Sequence, residues 1–469
     1  MEVVVFGIGK FFREKEVFIK ENTTIIAFID NNKMFYGKSL NAIPVFLPNH
    51  INKLFYDKIL LMSAKANEMK QQLIELGVES EKIWYWEQFF SNIVHGTFRF
   101  YLENKNGIAR HKKVLIISTV LNYNGGTLAA FYAAMALQNK GYQVVLSAPD
   151  GNKKLIQEIT EKGINIVLCL ALPYLYQEEL FWIQQFDFVL VNVFQMIKCA
   201  YEISKLRPSV WWIHEPKELY EDITLRFSEY TKNKKLSGIN IYAVSNIAQR
   251  NFNMHFPGRI DKVLTYGIPD EKRDANKSKK EKIIFALIGA IIPIKAQDIF
   301  LKAIALLNEK DKLKAEFWLI GSVGQSEYVH QIRNMVSKER TVQLKGVLTR
   351  SEMNQVYTDI DVVVCPSIEE TASIVVTEGL MYGKVCIMSN TVGMADYIED
   401  GINGFICKCG NVEDLAEKLQ WVIGHIETLE KVCLNARKTY EKYFTLEKFG
   451  NRLESLLIEA EKQYLTRKH

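Results

Sequence analysis

Two carboxylates with seven residues between them, Glu370 and Glu378, bracket a small apolar stretch in CPSIEETASIVVTEGLMYGK (365–384). DVVVCPS (361–367) reads as a buried strand, and TASIVVTEGLMYG as a helix that Gly383 ends. Glu370 then falls in the strand-to-helix loop, at the C-terminal edge of the sheet, where ligands of open α/β folds bind. The first helical amides, near Ser373 and Ile374, have no intrahelical acceptor and form an anion site suited to a diphosphate. Glu378, about one and a half turns further on, can accept hydrogen bonds from vicinal hydroxyls such as a ribose offers. Glu370 is placed to accept hydroxyls of a group on the other side of the phosphates. The plainer alternative is that Glu369 and Glu370 merely favour a helix N-terminus and that Glu378 lies on a solvated face. This stretch alone does not choose between them.

Three further stretches carry groups of matching chemistry. ALIGAIIPIKAQDIFLKAIALL (286–307) reads as strand, loop and helix, with Lys295 just ahead of the helix, where an ammonium can neutralise phosphate. STVLNYNGGTLAAFYAAMALQNKGYQVVL (118–146) puts Gly125 and Gly126 at a helix start, where glycine permits close backbone approach. WWIHEP (211–216) ends a strand with His214 at its C-terminal edge.

The elements that must position these groups follow one pattern. Short β-branched runs alternate with helical patterns along nearly the whole chain, from VVVFG (3–7) to VCIMSN (385–390). Strands apolar on both faces and separated by helices imply parallel sheets covered on both sides. Two polar linkers divide the series: LENKNGIARHKK (102–113) and DEKRDANKSKKEK (270–282), the latter with ten charged residues of thirteen. Such a run cannot be buried. Three Rossmann-like α/β units are expected, over about 1–105, 112–269 and 283–450, the last two facing each other across a cleft.

Composition narrows the class. A chain of 469 residues exceeds one ordinary core. Its net charge of +5 is too mild to suggest a nucleic-acid partner, yet it permits contact with an anionic membrane surface, through Arg110–Lys113 and the KNKK tract at 232–235. The seven cysteines form no CxxC pair, and Cys407 and Cys409 have a poor metal spacing. A reduced cytoplasmic protein is expected. The N-terminus has no signal-peptide shape, and no apolar run reaches the ~18 residues that span a bilayer. DIDV (359–362) matches a D-x-D metal pattern, but Asp361 opens a buried strand, so a structural role is expected for it and for Asp359.

Taken together and in order, these residues resemble the retaining GT-B nucleotide-sugar-dependent glycosyltransferases with the E-x7-E motif, the group 1 glycosyltransferases. The resemblance covers about 112–460. It implies a GT-B fold: an acceptor domain at 112–269, a donor domain at 283–445, and a C-terminal helix (446–469) packing back on the first. It further implies that Glu378 holds ribose hydroxyls, Glu370 the donor sugar, and Lys295 the leaving diphosphate. Gly126 would donate its amide to the phosphates, with Gly125, Gly289, Thr371, Ala372, Ser373 and Ile374 completing the donor site. His214 would sit over the donor sugar near the reacting carbon, so His214, Lys295 and Glu370 are the catalytic candidates. No metal and no cofactor is implied. The acceptor would be a glycan or lipid-linked saccharide, used in cell-surface polysaccharide or glycoconjugate synthesis at the inner face of the membrane.

Three departures bear on the donor's identity. Ala290 follows Gly289 where the family usually has arginine; Thr371-Ala372-Ser373 replaces a G-F-G-like run; and the later Gly-Gly is reduced to Gly393 in TVGMAD. The second function class is therefore a degenerate transferase that binds or activates a partner enzyme. The first hundred residues stand apart. Gly7-x-Gly9 after a strand, with Asp30 about 20 residues on, is half a dinucleotide fingerprint, but Phe12 occupies the third glycine's place. A second nucleotide site at Gly7, Gly9 and Asp30 stands against a structural or partner-docking unit. An oxidoreductase using that site would need catalytic residues that the sequence does not offer.

Overall fold

The computed structural model describes residues 1–63, 65–94, 97–102, 112–226, 228–231, 236, 238–260, 262–272 and 281–468. The KNKK tract, Arg110, His111 and most of both linkers lie outside the described residues. Three sheets follow one another along the chain.

The N-terminal sheet sets Ser39–Leu40, Ile43–Phe46, Thr24–Ile29, Glu2–Phe6, Lys58–Leu61 and Ile83–Tyr85 side by side, all parallel except the first pair. Its strands are apolar on both faces, and each face buries its own cluster, one built on Val3, Phe12 and Phe28, the other on Val4, Ile59 and Leu73. That is the burial a parallel sheet sandwiched by helices requires.

The central sheet runs Asn240–Ala243, Ser209–Ile213, Phe188–Asn192, Lys113–Ile117, Gln143–Ala148, Asn165–Cys169 and Phe98–Tyr101. The last strand corrects the expected boundary at 105: Phe98–Tyr101 pairs antiparallel with Asn165–Cys169 and belongs to this sheet. An exposed strand edge at Asn165–Cys169 has backbone groups to satisfy, and Phe98 packs edge-on to Trp182, ring centroids 5.9 Å apart.

The C-terminal sheet runs Val342–Gly346, Ala315–Ile320, Ile283–Ile288, Val362–Cys365, Val385–Ser389 and Phe405–Cys407, parallel throughout. The order reverses between Ile283–Ile288 and Val362–Cys365. At such a switch point the two loops leave the sheet edge on opposite sides and open a crevice. One continuous apolar cluster runs from the central sheet into the helix Ile374–Tyr382. The helix Leu446–Lys468 returns to the central sheet's side. Phe449 packs on Trp212, centroids 5.6 Å apart, and Lys140 and Lys112 pair with Glu454 and Glu461 at 3.2 and 2.8 Å. Where this helix begins, a Cβ on Gly267 would lie 2.4 Å from the Thr445 carbonyl oxygen, so only glycine fits the crossing. Among the described residues no helix is long and apolar enough to cross a membrane.

Candidate active site

Two loops meet at the switch point of the C-terminal sheet. After Ile288 the chain turns through Pro293–Lys295, and Ala296 adopts a left-handed conformation (φ +54°) before the helix Gln297–Leu306 begins. An alanine held there is locally strained, and it is fully buried. The turn aims Lys295 back across the crevice. Its stem runs over Gly289, where a Cβ would lie 3.7 Å from the lysine Cδ. The second loop, after Val362–Cys365, is tied to the first by the Ile368 amide donating to the Ile294 carbonyl at 2.8 Å. Lys295 and Glu370 are thereby brought into an ion pair, with the Ser367 hydroxyl donating to the same carboxylate at 3.2 Å. Burial pulls the Lys295 ammonium down, but the Glu370 charge more than offsets it, so the lysine titrates above its ordinary value.

Ser373 caps the helix Ile374–Tyr382, its Oγ accepting from the Val376 amide at 3.3 Å, and Gly383 ends it in the left-handed region (φ +67°). The first amides of this helix lack intrahelical acceptors and lie one residue from Ser373. Glu378 is 4% exposed, which removes the solvated-face alternative. It pairs with Arg350 and accepts from the Tyr357 hydroxyl at 2.7 Å. Arg350 in turn reaches Glu271 at 2.9 Å. Neither Arg350 nor Tyr357 was singled out by the sequence; each lies more than twenty residues from Glu378.

The central domain supplies the facing wall. Gly125 and Gly126 open the helix Gly125–Asn139, capped by Asn124. The Asn192 side-chain amide donates to the Gly126 carbonyl at 2.9 Å. A Cβ on Gly126 would come within 3.2 Å of Val193, itself a β-branched residue held at φ +74°. Such an outlier is costly and tends to persist at functional sites. Tyr132, on the same helix, is pushed well above the ordinary phenol value by burial and then by the Glu378 carboxylate. His214 follows the strand Ser209–Ile213. Its Nε2 is sealed from solvent with no partner among the described residues, and burial pulls its imidazole down to about 3. The next residue, Glu215, is buried and accepts from the His214 amide at 2.9 Å; burial pushes its carboxyl up to about 7 against the backbone N–H groups that pull it down.

Lys295, Glu370, Ser373, Ile374 and Glu378 thus lie along one helix terminus and its neighbouring turn, with Thr371 and His214 joined across the cleft by a 2.6 Å hydrogen bond from Thr371 Oγ1 to the His214 carbonyl. Asp359 and Asp361 precede the strand Val362–Cys365 and so sit at the opposite end of the sheet; Asp361 accepts from the Ile284 amide at 3.0 Å. Gly7, Gly9 and Asp30 belong to the N-terminal sheet and are not brought into this cleft. There the Asp30 carboxylate accepts from the Ile8 amide at 3.0 Å and the Asn32 amide at 2.8 Å, tying two loops together. Phe12 is buried against Phe28.

Comparison with known proteins follows the same division. Residues 269–439 match the family model of group 1 glycosyl transferases, residues 110–241 that of glycosyl-transferase family 4, and residues 1–84 that of C2185-like N-terminal domains. The chain is 32% identical over 127 residues to the sulfoquinovosyl transferase SQD2 of Arabidopsis thaliana, covering 26% of this chain and 25% of that protein. It is 23% identical over 349 residues to an uncharacterized glycosyltransferase of Haemophilus influenzae, covering 71% and 96%. The match spans under half the length of the first two curated relatives, 25% and 44%. Among solved structures, Anabaena HepE in complex with UDP and glucose superposes with a TM-score of 0.62 at 16% identity, over 74% of this chain and 100% of that one. The lipopolysaccharide-biosynthesis glycosyltransferase WaaG gives 0.53 at 14% identity, over 73% and 99%. The chain therefore has the GT-B fold, with a group 1 glycosyl transferase match over residues 269–439 and a family 4 match over residues 110–241, behind a further N-terminal α/β unit.

Proposed function

We propose that this protein is a retaining glycosyltransferase that moves a sugar from a nucleoside diphosphate sugar to a glycan or lipid-linked saccharide. The observation that carries the reading is the meeting of Lys295 and Glu370 at the switch point, beside a helix N-terminus whose Glu378 is buried and oriented. In this reading the Ile374 end of the helix and the Gly126 amide take the diphosphate, and Glu378 takes the ribose hydroxyls. Lys295 exchanges its ion pair with Glu370 for the leaving phosphate, which releases Glu370 to grip the sugar. The bond from the anomeric carbon to the diphosphate oxygen breaks, the acceptor oxygen bonds to that carbon on the same face, and the acceptor's proton passes to the departing diphosphate. Preorganised charge at the leaving group is the main source of acceleration such a site offers, and no metal is assigned to it. The complexes of HepE contain UDP and glucose, which makes UDP-sugars the first donors to try. Synthesis of cell-surface polysaccharide or glycoconjugate, in the cytoplasm or peripherally at the inner membrane face, is the setting this chemistry fits.

Incubation with a panel of UDP-, GDP- and other nucleotide-sugars in the presence of EDTA tests the reading. Nucleotide release is expected, with an α-linked donor giving an α-linked product by NMR. A β-linked product, or activity that EDTA abolishes and Mg²⁺ or Mn²⁺ restores, overturns the mechanism. Ala290, standing where the family has a phosphate-binding arginine, favours the second reading, a degenerate transferase that serves a partner enzyme. Donor binding without release from any member of the panel would select it.

A further inference from the structure

Around Glu370 the backbone is extended and bridged to Val392 in parallel register, fixed by the Glu370 amide on the Thr391 carbonyl (3.1 Å) and the Gly393 amide on the Glu370 carbonyl (2.8 Å). In an extended chain successive side chains leave on opposite sides. Glu370 turns to Lys295. Glu369 and Thr371 both turn the other way, to the central domain. Glu369 Oε1 accepts from the Asn251 side-chain amide at 2.6 Å and from the Lys217 backbone amide at 3.0 Å. Thr371 holds the His214 carbonyl. Asn251 is buried in the helix Asn246–His255, and Lys217 follows His214 by three residues. The two neighbours of Glu370 therefore grip the two ends of the short segment that carries His214.

We infer that Glu369 is a positioning residue that couples closure of the two domains to the placement of Glu370 and His214. This rests on the reading of the site given above. Glu369 touches neither Lys295 nor the helix terminus; it acts through the loop. With the domains apart, its carboxylate and the Thr371 hydroxyl lose these partners, and the loop keeps only the ties within its own domain: the bridge to Val392, the Ile368–Ile294 hydrogen bond and the Lys295 ion pair. With the domains together, the extended triplet spans a fixed distance between the carboxylate that faces the sugar and the histidine opposite. What Glu369 must supply is an oxygen that accepts two N–H bonds, which glutamine also has and alanine lacks.

The test compares Glu369→Ala, Glu369→Gln and the double variant Glu369→Ala/Asn251→Leu with the parent. Glu369→Ala is expected to lower kcat about tenfold while the affinity for free nucleoside diphosphate stays within about twofold, and Glu369→Gln to retain most of the turnover. Adding Asn251→Leu should cost little more, because the two residues share one contact. Small-angle X-ray scattering with bound nucleoside diphosphate should give a larger radius of gyration for Glu369→Ala than for the parent. Unchanged kcat in Glu369→Ala, an equal loss in Glu369→Gln, or a parallel loss of nucleotide affinity each overturns the inference. If the parent turns over no donor, the reading of the site has failed. The clamp is then judged by scattering and nucleotide affinity alone: a Glu369→Ala variant as compact as the parent rejects it, and a more open one supports it.

Discussion

His214 lies edge-on to Trp212, ring centroids 4.3 Å apart, and burial pulls its imidazole down to about 3 from an ordinary 6.5. It therefore stays neutral across the physiological range. The folded value lies below the unfolded one. The stabilisation is thus complete above pH 6.5 and is lost as pH falls from there toward about 3. Urea midpoints of the parent and His214→Phe, measured from neutral to acid, check this: the parent's advantage should shrink as pH drops, and a difference that stays constant contradicts it. Glu378 poses a second problem of burial, since a carboxylate at 4% exposure needs its counter-charge. Arg350→Leu is expected to cost about 1–3 kcal/mol, less than for a fully enclosed pair because Arg350 itself faces solvent on one side. An unchanged melting temperature would show that Glu378 does not depend on Arg350.

Among the elements, the loop at 391–393 decides how firmly Glu370 is held. A Cβ on Gly393 would lie 2.0 Å from the Thr371 carbonyl oxygen and 2.8 Å from Ser245 Oγ on the other domain. No rotamer change relieves a clash with backbone, so Gly393→Ala should cost about 1–3 kcal/mol and lower turnover by shifting the bridge to Glu370. Parent-like melting and parent-like kcat together would contradict that. The strand, loop and helix around Glu370 were legible in the sequence because their signals are local: a β-branched run at Val362–Cys365 and a glycine stop at Gly383. The burial of Glu378 was not, because Tyr357 and Arg350 reach it from 21 and 28 residues away. Nor were the left-handed conformations at Val193 and Ala296; neither residue type prefers that region, and tertiary packing imposes it. Phe98–Tyr101 escaped for a similar reason. Four residues cannot declare which sheet they join; the partner strand's open edge decides it.

At the scale of the whole molecule, hydrogen-bonded pairs join the central and C-terminal domains beside the apolar cluster that the two share. Asn246 donates to Asp396 at 3.0 Å, the Thr265 and Tyr397 hydroxyls lie 2.6 Å apart, and the Tyr266 and Thr377 hydroxyls 3.2 Å apart. In the proposed reaction, donor binding and chemistry divide among three side chains of the C-terminal domain. Glu378 would contribute equally to ground and transition states, Glu370 chiefly to the transition state, and Lys295 to both. The most direct measurement is titration of free nucleoside diphosphate, UDP first, into the parent and into Glu378→Ala, Lys295→Ala and Glu370→Ala, with turnover measured alongside. Affinity should fall about tenfold or more in the Glu378 and Lys295 variants and hardly change in Glu370→Ala, whose loss should be in kcat. Four proteins that bind the nucleotide equally and turn over alike would show that this cleft is not where the donor is used.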